Sequence, residues 1–193
     1  MPIMRYLSSQ VANQSAMNIT RWLPNLLSIS RCLFSVPMGY FVFHGAWVHA
    51  CVVLWIAIAT DIADGQLARH LYLQSSLGGL LDHGSDAVFV TVMLATLVCH
   101  DLIPIALPIL VPIAFLQYML DSRALSGRPL RTSSLGKYNG ICYFILGGFP
   151  IMQHVLQIYL IEQSLLIWIG WGLVLSTIAS MLDRLWSLRT FDE

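Results

Sequence analysis

Six apolar runs of roughly 20 residues follow one another along the chain, separated by short connections. A helix needs about 20 apolar residues to cross a bilayer, so each run is long enough to span it. The pattern predicts an all-α integral membrane protein with six transmembrane helices, over residues 24–43, 47–69, 78–99, 102–120, 138–156 and 165–181.

The first 22 residues alternate polar and apolar side chains at roughly helical spacing. We interpret residues 1–22 as an amphipathic juxtamembrane segment on the membrane surface, with a frayed terminus as the alternative. Residues 23–193 then form one six-helix transmembrane domain. Charged residues make up only 10% of the chain, against about 25% in soluble domains, which also indicates a membrane protein.

The ten basic residues all lie at or near one side of the predicted bundle. They fall in the N-terminal segment, in the second–third and fourth–fifth connections, and at the C-terminus. Because basic residues are retained on the cytoplasmic side of a membrane, both termini are predicted to be cytoplasmic. The four cysteines are far apart in apolar runs, which predicts neither a disulfide framework nor a zinc cluster.

Four of the ten acidic residues lie within 26 positions, where the second and third predicted helices meet. Asp61 and Asp64 are three apart, and Asp82 and Asp86 are four apart, so each pair shares a helix face. Four carboxylates repel one another unless a cation lies between them, and oxygen ligands favour Mg²⁺, Mn²⁺ or Ca²⁺ over zinc. The spacing therefore predicts a divalent-metal site at the cytoplasmic end of the bundle.

The full pattern, D-x2-D-G-x2-A-R-x8-G-x3-D-x3-D, resembles the signature of the CDP-alcohol phosphotransferase family, also called CDP-alcohol phosphatidyltransferases. Its eight fixed positions are filled by Asp61, Asp64, Gly65, Ala68, Arg69, Gly78, Asp82 and Asp86. The resemblance implies an enzyme of phospholipid biosynthesis that transfers a phosphatidyl group from CDP-diacylglycerol to a polar alcohol and releases CMP. Glycerol 3-phosphate is the acceptor that we expect first, and one or two Mg²⁺ or Mn²⁺ ions are the expected cofactors.

The resemblance also implies roles for these residues. Asp61, Asp64 and Asp82 would bind metal, with Asp86 in or near the same cage and matching the general base that takes the acceptor's proton. The expected nucleotide and phosphate contacts are Gly65, Ala68, Arg69, Gly78 and, from the family-like opening of the first span, Asn25. Arg69 is alternatively a positive-inside anchor, and Asn25 a helix-start hydrogen-bonding residue.

The polar connection over residues 121–137 is the expected place of acceptor choice. Its basic residues Arg128, Arg131 and Lys137 would form a pocket for an acceptor phosphate. The alternative is that they are topology charges attracted to anionic lipid. His83 lies between two of the acids and is either close to the substrate or simply packed.

The resemblance extends to cellular context and to a possible dimer. It implies a bacterial-sized member in the bacterial cytoplasmic (inner) membrane, with the active site facing the cytoplasm. The expected partners are the bilayer, a CDP-linked lipid and a second copy of the chain, with no nucleic acid.

Two other functions stay open at this point. Residues 82–86 read DHGSD, which resembles choline and ethanolamine phosphotransferases more than the D-P-x-A-D-K of phosphatidylglycerophosphate synthases. A reaction of CDP-choline or CDP-ethanolamine with diacylglycerol is therefore one alternative. A cation-coupled transporter is the alternative of another class, because intramembrane acids also mark ion paths.

Overall fold

A computed structural model describes residues 26–70, 76–121 and 134–189, and these fold into helices, with turns over residues 44–46, 99–105 and 157–162. In chain order the helices are α1 (Leu26–Phe43), α2 (Trp47–His70), α3 (Ser76–Val98), α4 (Ala106–Asp121), α5 (Ser134–Leu156) and α6 (Gln163–Arg189). No strand occurs in these three ranges, so the predicted all-α class is confirmed for them. The predicted amphipathic segment, residues 1–22, lies outside the described residues.

Three helical stretches are long and apolar enough to cross a membrane: Leu26–Phe43, Gly78–Val98 and Gln163–Trp186. Two shorter apolar helices, Trp47–Ala63 and Ala106–Asp121, accompany them. Large apolar side chains also cover the outside of the bundle, as expected for a surface in contact with lipid. These features support an integral membrane protein, while six spans and cytoplasmic termini stay predictions.

Helices α3 and α5 connect the other helices of the bundle. Helix α3 packs against α4 and α5, while α5 also packs against α2 and α6. Helix α1 approaches α3 closely at Gly39, where a Cβ atom would lie 2.8 Å from a methyl group of Val92. The buried core of α3 comprises Phe89, Val90, Met93, Leu94 and Leu97. The acids at the start of α3 therefore belong to a helix that packs against three others.

Helices α4 and α6 differ in extent from the sequence prediction. Helix α4 begins at Ala106, four residues late, because Pro104 disfavours helical backbone at Ile103, the residue before it. Helix α6 continues to Arg189, two turns beyond the predicted end at residue 181. Arg184 consequently lies within a helix that packs against α4.

Aromatic and histidine side chains cluster at the start of α2. The ring of Trp47 stacks on His154 at 4.1 Å and contacts His100 at 4.9 Å. Fourteen residues of α2, or about 21 Å of helix, separate Trp47 from Asp61. Amphipathic rings of this kind are enriched at membrane–water interfaces, so this cluster fits the interface opposite the acids.

The contact between Gly170 and Pro104 gives a test of this packing. A Cβ atom at Gly170 would lie 2.4 Å from Cδ of the rigid Pro104 ring, whereas one at Gly172 would meet open space. We expect Gly170→Ala to lower stability by about 1–3 kcal/mol through overpacking. Gly172→Ala, the matched control, should leave stability unchanged or raise it slightly through helix propensity. Thermal unfolding of both variants in one detergent would measure this, and equal midpoints would contradict the packing.

Candidate active site

Arg31 of α1 lies at the centre of the acid cluster. Its Nη2 atom is 3.0 Å from Oδ1 of Asp61 on α2, and its Nη1 atom is 3.3 Å from Oδ1 of Asp82 on α3. The same Nη1 atom donates to Oδ1 of Asp86. One guanidinium thus joins three helices through three carboxylates.

The sequence of α1 places Arg31 inside the bundle. Ser28, Arg31 and Ser35 are spaced by three and four residues, lie on one face and are buried. Leu33 and Val36 lie on the other side of the helix and are about 70% exposed. A charged side chain in an apolar helix is stable only if it finds a partner in the protein interior, and the acids of α2 and α3 are that partner.

The two sides of the cluster differ in exposure. The Arg31 side chain is wholly buried, whereas those of Asp61, Asp82 and Asp86 are 46%, 34% and 27% exposed. Ser85 packs behind the acids, with Nη1 of Arg31 3.5 Å from its hydroxyl. Arg31 therefore contacts the carboxylates from the buried side, and their opposite side remains accessible.

The charge and the donor atoms of this cluster fit a divalent cation. Three carboxylates against one guanidinium leave two net negative charges, which one divalent ion balances. Ligand atoms of Asp82, His83 and Asp86 also lie within 4.8 Å of one another. Carboxylate oxygens are the donors that Mg²⁺ and Mn²⁺ prefer, so the donor set is compatible with either ion.

The remaining residues singled out in the sequence lie as follows. Gly65 is one turn beyond Asp61 in α2, and Gly78 is in the first turn of α3. Lys137 is exposed in the first turn of α5. The backbones of Asp64, Ala68 and Arg69 belong to α2, but their side chains lie outside the described part, as do Asn25, Arg128 and Arg131 altogether.

Sequence reasoning gave Arg31 no place in the site. It counted there only as one of the ten basic residues at or near the cytoplasmic side. The available signal was its position: a lone arginine within an otherwise apolar run needs a carboxylate partner. The sequence contains four candidate partners between residues 61 and 86.

The fold and the site together define an integral membrane protein with a polycarboxylate site suited to a divalent cation. A family model described as CDP-alcohol phosphatidyltransferase matches residues 21–185, which is most of the chain. The chain therefore belongs to the CDP-alcohol phosphatidyltransferase family, and the resemblance noted in its sequence is confirmed.

Several curated proteins are similar to this chain at modest identity. The rat protein named cardiolipin synthase (CMP-forming) is 32% identical over 123 residues, which is 63% of this chain and 41% of the relative. The human protein of that name is 30% identical over 123 residues, which again cover 63% of this chain and 41% of the relative. The Aquifex aeolicus protein named CDP-diacylglycerol–glycerol-3-phosphate 3-phosphatidyltransferase is 36% identical over 66 residues, covering 34% of this chain and 37% of the relative.

The chain thus spans about two fifths of the length of these relatives. No solved structure matches it with significance.

The position of Arg31 predicts how its replacement changes stability and metal response. Removing one partner of a buried ion pair costs about 3–5 kcal/mol, and the partial exposure of the acids lowers that figure here. We expect Arg31→Gln to lower the unfolding temperature in EDTA, because three carboxylates then repel one another. We also expect Mn²⁺ to raise that temperature more in the variant than in the wild type, because the ion then replaces the lost positive charge.

Two further variants make this test specific. Arg31→Lys keeps the charge but not the planar fork, and it should give an intermediate response. Lys137→Gln removes an exposed cation and should behave as the wild type in thermal stability. An Arg31→Gln protein with wild-type stability in EDTA would show that the ion-pair cluster does not hold the helices together.

Proposed function

We propose that this protein transfers a phosphatidyl group from CDP-diacylglycerol to a polar alcohol and releases CMP. The observation that carries the proposal is the convergence of Asp61, Asp82 and Asp86 from two helices onto one point, with their carboxylates partly exposed. Membership of the CDP-alcohol phosphatidyltransferase family supports phosphatidyl transfer as the reaction at this polycarboxylate site. It also favours an enzyme over the cation-coupled transporter that intramembrane acids suggested.

The proposed reaction is a displacement at phosphorus. The acceptor hydroxyl oxygen attacks the phosphorus of the phosphatidyl group, and the bond from that phosphorus to the oxygen of CMP breaks. Asp86 accepts the hydroxyl proton as general base. Asp61, Asp64, Asp82 and Asp86 would hold a divalent ion, and that ion would supply positive charge to neutralise the diphosphate and departing CMP.

Arg31 has a supporting part in this proposal. It contacts Asp86 from the buried side and leaves the other side of the carboxylate for substrate. A guanidinium that holds three carboxylates in fixed positions preorganises the ligand set before substrate binds. Arg31 is thus a positioning residue: it contacts the carboxylates and does not itself contact the reacting atoms.

Glycerol 3-phosphate is the proposed acceptor, and phosphatidylglycerol is the second candidate. The Aquifex aeolicus relative is named for transfer to glycerol 3-phosphate. The rat and human relatives are named for CMP-forming synthesis of cardiolipin, a route that implies phosphatidylglycerol as acceptor, and they align over more of this chain. The names of these relatives therefore favour both acceptors over a reaction of CDP-choline with diacylglycerol.

The proposal also includes the membrane topology, the substrate contacts and the dimer expected from the sequence. We place six helices across a bacterial cytoplasmic membrane, with the acids and both termini on the cytoplasmic side. The nucleotide contacts proposed are Asn25, Gly65, Ala68, Arg69 and Gly78, and the acceptor phosphate contacts proposed on the polar connection are Arg128, Arg131 and Lys137. The protein is proposed to be a homodimer, which a single-chain mass in mild detergent would contradict.

The proposal predicts acceptor-dependent release of CMP. Purified protein with CDP-diacylglycerol and Mn²⁺ or Mg²⁺ should release CMP when glycerol 3-phosphate or phosphatidylglycerol is added, and EDTA should stop the release. Serine and inositol phosphate serve as comparison acceptors. Absence of CMP with every acceptor, together with turnover of CDP-choline and diacylglycerol, would move the protein to the alternative reaction.

Asp86→Asn tests the general base. We expect turnover to fall by at least about 10²-fold, because the amide cannot accept the hydroxyl proton. Metal-dependent binding of CDP-diacylglycerol should persist, since Asp61 and Asp82 remain. Asp61→Asn should instead weaken Mn²⁺ binding. Turnover close to the wild type in Asp86→Asn would remove Asp86 from this role.

A further inference from the structure

His83 lies among the acids at the start of α3. The reaction proposed above gives it no role, and the sequence left it either close to the substrate or simply packed. Its side chain is exposed, whereas Arg31 is wholly buried and contacts Asp82 and Asp86 from the interior. His83 therefore lies on the side of these carboxylates that Arg31 leaves open.

Residue spacing along α3 brings the imidazole to the carboxylates. Asp82 and Asp86 are four residues apart, and His83 and Asp86 are three apart, so all three are neighbours on the helix surface. One ligand atom from each of these residues lies within 4.8 Å of the other two. Two ligands on opposite sides of one Mg²⁺ are about 4.2 Å apart, so small side-chain movements would bring all three atoms around a single ion.

The contacts with Arg31 allow the carboxylates to share an ion with His83. Nη1 of Arg31 contacts Oδ1 of Asp82 and Oδ1 of Asp86. Each carboxylate has a second oxygen, Oδ2, which can also act as an acceptor or a ligand. The imidazole is also close enough to Asp61 on α2 to interact with it electrostatically. Carboxylate oxygens of α2 and α3 are thus accompanied by one nitrogen donor.

Helix α4 restricts the position of the His83 ring. This ring packs edge-to-face against that of Tyr118, with 5.8 Å between the ring centroids and 77° between the ring planes. The next residue, Gly84, allows α4 to approach, because a Cβ atom there would lie 3.3 Å from the Phe115 ring. A ring with such neighbours has fewer conformations to lose on binding an ion than an unrestrained surface side chain has.

A nitrogen ligand changes which divalent ions the site prefers. Mg²⁺ is bound through carboxylates and phosphates and retains several waters, so an imidazole adds little to its binding. Imidazole suits transition metals, whose affinity for a site with nitrogen and oxygen ligands rises from Mn²⁺ along the first row to Cu²⁺. Mn²⁺ also accepts carboxylate and water ligands, as Mg²⁺ does. A site that combines carboxylates with one imidazole therefore favours Mn²⁺ over Mg²⁺.

We propose that His83 is a ligand of the divalent ion, together with Asp82 and Asp86, and that its nitrogen makes the site select Mn²⁺ over Mg²⁺. This inference rests on the proposed function, because it concerns the ion used in that reaction. The competing interpretation is a solvated histidine that does not bind the ion, and the two differ in metal affinity and in the spectrum of bound Mn²⁺.

Mn²⁺ binding in the absence of substrate tests the proposal independently of turnover. Metal-free protein in nanodiscs of zwitterionic lipid would be titrated with Mn²⁺, with free Mn²⁺ followed by electron paramagnetic resonance. The concentration of Mg²⁺ that displaces the bound Mn²⁺ then gives the selectivity. We expect His83→Gln to raise the Kd for Mn²⁺ at least about tenfold, since even residues that only orient a metal ligand are typically worth that factor. The Kd for Mg²⁺ should change much less, so the selectivity should fall.

Electron spin echo envelope modulation identifies the ligand directly. Mn²⁺ bound to the wild type should show the nitrogen coupling of a directly bound imidazole, and this coupling should disappear in His83→Gln. Wild-type protein labelled with nitrogen-15 only at histidine should show the nitrogen-15 pattern instead, which provides a test without any substitution. His44→Gln, the matched control, replaces an exposed histidine between α1 and α2 and should keep both the coupling and the Mn²⁺ affinity.

The outcomes separate this ligand from the proposed reaction. Bound Mn²⁺ without nitrogen coupling in the wild type, or with a coupling that persists in His83→Gln, would overturn His83 as a ligand. An unchanged preference for Mn²⁺ in His83→Gln would overturn its effect on metal choice.

CMP release by the same preparations, with CDP-diacylglycerol and either glycerol 3-phosphate or phosphatidylglycerol, tests the proposed function. Release of CMP by a wild type that lacks the nitrogen coupling would overturn the His83 ligand alone. Absence of release from a wild type that shows the coupling, and loses it in His83→Gln, would support the ligand and contradict the proposed reaction.

Discussion

The interaction on which the bundle depends is the set of ion pairs around Arg31. A guanidinium with no exposed surface is stable in an apolar helix only because carboxylates of α2 and α3 contact it. The same contacts fix the spacing of those carboxylates, which repel one another without a cation among them. Structure and site are therefore coupled: the residue that joins α1 to its neighbours also arranges the proposed metal ligands. A change at Arg31 is expected to affect stability and metal response together.

Placement of the acids at one end of the bundle agrees with the chemistry proposed for them. A CDP-linked lipid has a water-soluble nucleotide and two acyl chains, so its reacting phosphorus lies where water and bilayer meet. Asp82 and Asp86 lie in the first half of α3, while the apolar core of the same helix continues through Leu97.

Much of this arrangement was predictable from the sequence, for identifiable reasons. Apolar runs indicate helices directly, and the fixed spacing of Asp61, Asp64, Asp82 and Asp86 indicates both a shared site and a family. Arg31 was missed because its partners are 30 to 55 positions away, and only packing brings them together. The start of α4 was misplaced because the apolar run continues through Pro104, whose effect on the backbone is local.

The central claim is that these carboxylates hold a divalent ion against the diphosphate of a CDP-linked lipid. Electron–nuclear double resonance of Mn²⁺ bound to the protein in nanodiscs, with CDP-diacylglycerol present, tests it most directly. The account predicts a phosphorus-31 coupling of the size expected for phosphate bound directly to Mn²⁺, and its loss in Asp82→Asn. Tightly bound Mn²⁺ without phosphorus coupling, or the same coupling in Asp82→Asn, would contradict the account.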